Sequence, residues 1–124
     1  MENRYFWKEI RFFKPEEFKS PDSDEDLIRE FLVKAMDYVR KQYGSPLHIN
    51  SGYRTKEHNA EVGGVPNSQH VRGTACDVHI ESQAMGDELV KHFIDFVGEA
   101  CGIGRYRNFV HLDIRRSRAR WDNR

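Results

Sequence analysis

The stretch Ser68-Gln-His70-Val-Arg-Gly73-Thr-Ala75-Cys-Asp77, followed later by Phe109-Val-His111-Leu-Asp113, offers His70, Asp77 and His111 as ligands of one metal ion. Two neutral imidazoles and one carboxylate leave a divalent zinc with residual positive charge and an open coordination position, the composition of a hydrolytic site. This donor set favours zinc among the abundant divalent ions, with about one per chain expected. His48, His58 and His92 belong to no such pattern and read as surface or satisfied core residues.

Three side chains far apart in sequence need elements to bring them together. Thr74-Ala-Cys-Asp-Val-His-Ile80 has the alternation and β-branching of a strand, and Gly73 separates it from the loop that carries Ser68 and His70. Ile103 to Tyr106 and Phe109 to Ile114 read as a hairpin turning at Arg107-Asn108. Period-two alternation puts Asp77 and His79 on one face of the first strand, and His111 and Asp113 on one face of the last. If those strands are neighbours, the metal-competent side chains converge. Cys76 then points to the core as a small hydrophobe, and with Cys101 it forms neither a disulfide framework nor a thiolate zinc site.

The surrounding chain supplies a frame. Leu27, Ile28, Phe31, Leu32, Ala35 and Val39 recur at helical spacing before Gly44 and Pro46, predicting a helix of about four to five turns. Leu47 to Ser51 alternates as a short strand, and Thr55 caps a short helix reaching about Val62. Gly63-Gly64-Val65-Pro66-Asn67 is loop. A second long helix follows Ser82, with Leu89, Val90, Phe93, Ile94 and Val97 on one face and Gly102 beyond its end. The expected fold is α+β: a small, mostly antiparallel sheet packed with two longer helices and one short helix. A single domain is expected over 1–124, with an irregular segment at 1–17 and a basic tail at 116–124.

These residues resemble the peptidase M15 family of zinc D-Ala-D-Ala carboxypeptidases and L-alanyl-D-glutamate endopeptidases, in its short bacterial and phage branch. The likeness runs through Ser51-Gly-Tyr-Arg54, Asn59, Gly63-Gly64, the His70-to-Asp77 motif, Gly102-Ile-Gly104-x-Tyr106, Phe109-Val-His111-x-Asp113 and Trp121. The resemblance implies a fold like that of these peptidases and of the hedgehog signalling domain, zinc on His70, Asp77 and His111, and substrate held by Arg54 and Ser68. An arginine fork suits a peptide carboxylate or a carbonyl oxygen gaining charge. Many members carry an acid three positions before the last histidine, where this chain has Asn108, and an amide is no base. Asp113, on the same strand face as His111, is the replacement expected from sequence. Its bland alternative is a carboxylate that orients an imidazole or pairs with a nearby arginine.

The implied activity is hydrolysis of an amide bond beside a D-amino acid in a peptidoglycan stem peptide. Because the hedgehog domain keeps such a site without peptidase activity, a catalytically inactive zinc-stabilised wall-binding or phage structural module is the alternative. Formal net charge is zero, which gives no support to a nucleic-acid partner, and the arginines from Arg105 to Arg124 read as a solvated edge. No apolar run approaches a membrane span, and a monomer is expected. The N-terminus lacks the apolar core of a signal peptide, so the expectation is a chain made in the cytoplasm. That suits a phage-type lysin released by a separate pore, or an enzyme acting on imported wall fragments.

Overall fold

In the computed structural model, residues 4–124 are described; the first three residues of the expected irregular N-terminal segment lie outside the described residues. The chain runs through α1 (Glu30–Tyr43), β1 (Ile49–Ser51), α2 (Lys56–Glu61), β2 (Ala75–His79), α3 (Gln83–Val97), β3 (Gly102–Arg105), β4 (Phe109–Asp113) and β5 (Ala119–Asp122). The five strands form one sheet in the order β1-β2-β4-β3-β5. Every pairing is antiparallel except β3 with β5. This is the α+β architecture expected from sequence, with two long helices and one short.

Period-two alternation along the central strands sorts their side chains between two faces. Cys76, Val78, Val110, Leu112 and Ile103 go into a core shared with Leu32, Val33, Met36 and Val39 of α1 and Leu89, Val90 and Phe93 of α3. Asp77, His111 and Gly104 go to the opposite face, where no helix covers them and a cleft forms. Cys76 and Cys101 are buried free thiols, and burial pushes the Cys76 thiol well above its ordinary pKa.

The helix boundaries follow local chemistry. Ser82 Oγ accepts from Met85 N at the start of α3, and Thr55 Oγ1 accepts from His58 N at the start of α2. Gly44 ends α1 at φ 84°, and Gly98 ends α3 at φ 94°, so Gly98 rather than Gly102 sits past that helix end. Gly102 instead begins β3. Two points of the helical pattern shift: α1 starts at Glu30, and Leu27 and Phe31 are exposed while Ile28 is buried ahead of the helix. The cause is a tether, because Arg29 N donates to Gly73 O at 2.8 Å and holds the preceding backbone extended.

The N-terminal segment contains two short 3-10 turns, Tyr5–Glu9 and Pro15–Glu17, and sends Phe6 and Phe13 into the core beside Phe18. Buried Asp26 ties it down, accepting from the Arg4 guanidinium and from Trp7 Nε1 at 2.6 Å. At the other end, the stretch read as a basic tail contains β5. Ala119 N donates to Cys101 O and Asn123 N to Arg105 O, carrying the sheet one strand further. Arg107, Arg116, Arg118 and Arg124 are exposed, as expected of a solvated edge, whereas Arg105, Arg115 and Arg120 are half-buried and hydrogen-bonded to the protein.

Trp121 lies opposite Gly104 in the parallel pair, and its ring fills the space that a side chain at 104 would need. A Cβ there would stand 2.4 Å from the indole. Gly104→Ala is therefore expected to lower the unfolding free energy by about 1–3 kcal/mol through overpacking, read as a lower denaturation midpoint in urea.

Candidate metal centre

The register of the central pair does the first step of assembly: Asp77 is directly opposite His111, and Ala75 opposite Asp113. His70 arrives from the turn after the Gly63-Gly64 loop. Its carbonyl accepts from Arg54 N and Gly73 N, and Gly73 adopts φ 74° to bring the chain back into β2. His70, Asp77 and His111 are all buried, and one ligand atom from each lies within 4.8 Å of the others. These three could hold a metal ion.

Hydrogen bonds on the far side of each ring decide which nitrogen faces inward. His70 Nδ1 is 2.8 Å from Gly52 O, which can accept but not donate, so Nδ1 carries the proton and Nε2 offers a lone pair. His111 Nε2 is 2.8 Å from Asp113 Oδ2, which places the proton there and leaves the Nδ1 lone pair inward. His70 Nε2 and His111 Nδ1 then stand 3.2 and 3.0 Å from Asp77 Oδ1. In these tautomers three acceptors converge, an arrangement that a cation would satisfy; a proton on the inward nitrogen of either ring satisfies Asp77 instead. The donor set fits a divalent metal with imidazole and carboxylate preferences.

The acid–base properties follow from the same contacts. Burial works against charge on Asp77, but hydrogen bonds and attraction from His111 and His70 outweigh it and hold the carboxyl well below its ordinary range. Burial similarly opposes a charged His111, yet Asp113 and Asp77 overcome that and raise its pKa. Asp113 is fully buried, and His111 and Arg115 together hold it far below the usual carboxylate pKa against the effect of burial.

Around the three residues lies a cleft of about 510 Å³, whose lining includes Arg54, Asn67, Ser68, Gln69, Tyr106, Phe109, Arg115 and Trp121. Arg54 is held by three partners: Nε donates to Ser51 Oγ, Nη1 to Asn59 Oδ1 and Nη2 to Asp77 Oδ2 at 3.4 Å. Ser68 Oγ accepts from His70 N at 3.1 Å while the residue still borders the cleft. Sequence reasoning placed both residues here. It assigned no role to Asn59, which is buried, donates to Val65 O and so braces Arg54 and the loop together.

Two of the metal-competent side chains stand outside the cleft. His79 does not join the cluster: it sits two residues along β2 from Asp77, opposite Phe109, and its Nε2 pairs with Glu81 at the surface. Asp113 does share a face with His111 but does not line the cleft; both its oxygens accept from Arg115, and Oδ2 also from His111. Asn108 occupies the hairpin turn, exposed, with its carbonyl accepting from Ile80 N.

The model of the family described as Peptidase M15 matches residues 13–113, most of the chain and every element that supplies the cluster. The chain belongs to the peptidase M15 family. Members of the M15 family are metal-dependent peptidases, and the buried group His70, Asp77 and His111 could hold such an ion. No curated protein matches the chain. In this M15 domain, metal analysis is expected to find about one ion per chain, lost in His70→Ala. Full occupancy of that variant would contradict the ligand set.

Proposed function

We propose that this M15 domain is a zinc-dependent peptidase that hydrolyses an amide bond next to a D-amino acid in peptidoglycan peptides, as a carboxypeptidase or an endopeptidase. The observation that carries this reading is the convergence of two tautomer-fixed imidazoles and one carboxylate in an open cleft bordered by guanidinium groups. When bound, zinc supplies Lewis-acid polarisation of the scissile carbonyl and activates water near neutral pH.

The chain's own residues do the rest. Arg54 has its guanidinium fixed by Ser51, Asn59 and Asp77 yet borders the cleft, so an N–H remains to steady a substrate oxygen that gains charge. Ser68 holds the His70 backbone and presents its side to the same space. For Asp113 the geometry favours a positioning role over that of proton acceptor. Its carboxylate faces His111 Nε2, both its oxygens are taken up by His111 and Arg115, and it does not line the cleft, so it stands poorly placed to take a proton from a substrate or water there.

One feature favours a second reading, a module that keeps the metal and lacks turnover: Asp77 is the sole carboxylate among the described residues that line the cleft. Incubation of zinc-loaded protein with purified stem peptides separates the two. New amino termini, detected by mass spectrometry and abolished by a chelator, are expected; absence of cleavage across several stem types would favour the module.

Asp113→Asn tests the positioning role. A tenfold to hundredfold loss in metal affinity or activity is expected of a residue that orients a ligand, roughly the range seen for outer partners of metal-binding histidines. A general base would instead leave metal affinity unchanged and lower the rate by about 10²–10⁴.

A further inference from the structure

Arg115 stands at the edge of the cleft with half of its guanidinium in use. Nε donates to Asp113 Oδ1 at 2.8 Å and Nη2 to Asp113 Oδ2 at 2.7 Å, a side-on bidentate pair with a fully buried carboxylate. The remaining edge, Nη1 and the outer N–H of Nη2, has no acceptor among the described residues, and the side chain is 28% exposed where it lines the cleft. Arg54, by contrast, has a partner on each of its three nitrogens.

The surroundings fix where this open edge lies. The guanidinium carbon is 5.4 Å from the centroid of the Trp121 ring, and that ring is 5.0 Å from the His111 ring. Trp121 is itself held by donation from Nε1 to Tyr106 Oη at 2.9 Å, and Tyr106 stacks on Phe109 at 4.2 Å. Asp113 Oδ2 is shared between His111 and Arg115, so a single carboxylate oxygen separates the candidate ligand from the guanidinium. The cleft lining carries two guanidiniums and one carboxylate, and a divalent ion would add to its positive field.

We propose that Arg115 forms a carboxylate-recognising subsite, its free fork binding a carboxylate of the peptide close to the scissile bond, with Trp121 as the wall beside it. The carboxylate is either the chain terminus or the side chain of an acidic residue. A fork pre-oriented by Asp113 loses little freedom on binding, and a planar guanidinium matches a carboxylate with two parallel N–H bonds. The subsite rests on the reading of the cleft as a peptide site, and it selects among peptides by charge.

The test uses the zinc-loaded protein and three small probes: N-acetyl-D-alanine, its neutral amide, and N-acetyl-D-glutamate α-amide, whose carboxylate is on the side chain. Binding is followed by tryptophan fluorescence and calorimetry. At least one carboxylate probe is expected to bind about ten- to hundredfold tighter than the neutral amide, and the favoured one identifies the source. Zinc content is measured for each variant, and binding is compared per zinc-loaded chain: Arg115→Lys, which keeps a charge beside Asp113 but not the second fork, is expected to lose most of that preference, and Arg115→Gln to abolish it. Equal binding of all three probes by the unaltered protein would overturn the subsite. So would a preference of unchanged size in both variants, because the carboxylate would then be binding elsewhere, as on the metal. A preference that depends on Arg115 in a protein that cleaves no stem peptide would leave the subsite standing while the peptidase reading fails. Cleavage of acid and amide peptides with the same KM would do the reverse.

Discussion

The antiparallel register of β2 against β4 is the constraint on which the rest of the molecule depends. Asp77 opposite His111 places a carboxylate and an imidazole on adjacent strands of one sheet face, where side chains of directly paired residues are about 4.5–5.5 Å apart at Cβ. A slip of β2 by one residue against β4 would turn Asp77 into the core, away from His111, and expose Cys76 and Val78, which share the core with Val110 and Leu112. Burial of those four side chains against α1 and α3 therefore sets the geometry of the polar face as well as the stability of the sheet.

The second level of order lies in the groups behind the ligands. Gly52 O fixes the His70 tautomer, and its strand exit is itself wedged against Phe18, whose carbonyl accepts from Tyr53 N at 2.8 Å. A side chain at 52 would place its Cβ 2.7 Å from that carbonyl oxygen. On the other side, Asp113 fixes His111 and is fixed by Arg115. Both imidazoles are thus held in place from behind, which would reduce the reorganisation that holding a metal requires. The described part of the N-terminal segment, which holds no strand or α-helix, contributes to this frame through Trp7 and Phe13, which pack on Phe18.

Charge and shape complete the site from the two sheet ends. Arg54 approaches from the exit of β1 and Arg115 from the exit of β4, while β5 brings Trp121 over Gly104 of β3. The resulting cleft is positive on both sides of the Asp77 carboxylate and aromatic along one wall. The field of such a cleft favours an anionic ligand over a neutral apolar one.

How much of this was legible in the sequence differs by residue. The triad, the loop that carries His70, the caps Thr55 and Ser82 and the hairpin around Asn108 rest on local chemistry: glycine positions, side-chain oxygens before helical stretches and period-two alternation. Those signals sit within a few residues of what they specify, so the sequence by itself determined the fold class and named His70, Asp77 and His111 as candidates, while the pairing of β2 with β4 decided that they meet. Tertiary structure alone decided the fate of Asp113, Arg115 and His79. Alternation put Asp113 and His79 on the faces of their ligand neighbours, but Asp113 became a buried partner of Arg115 and His79 reached the surface. It also decided β5, because a parallel pairing with β3 depends on the Trp121 ring finding Gly104 across the sheet, and an arginine-rich stretch carries no local sign of that partner. The physical reason is common to all of these: a side chain's direction is set by its own backbone, whereas its charge partner and its burial are set by chains that approach from elsewhere.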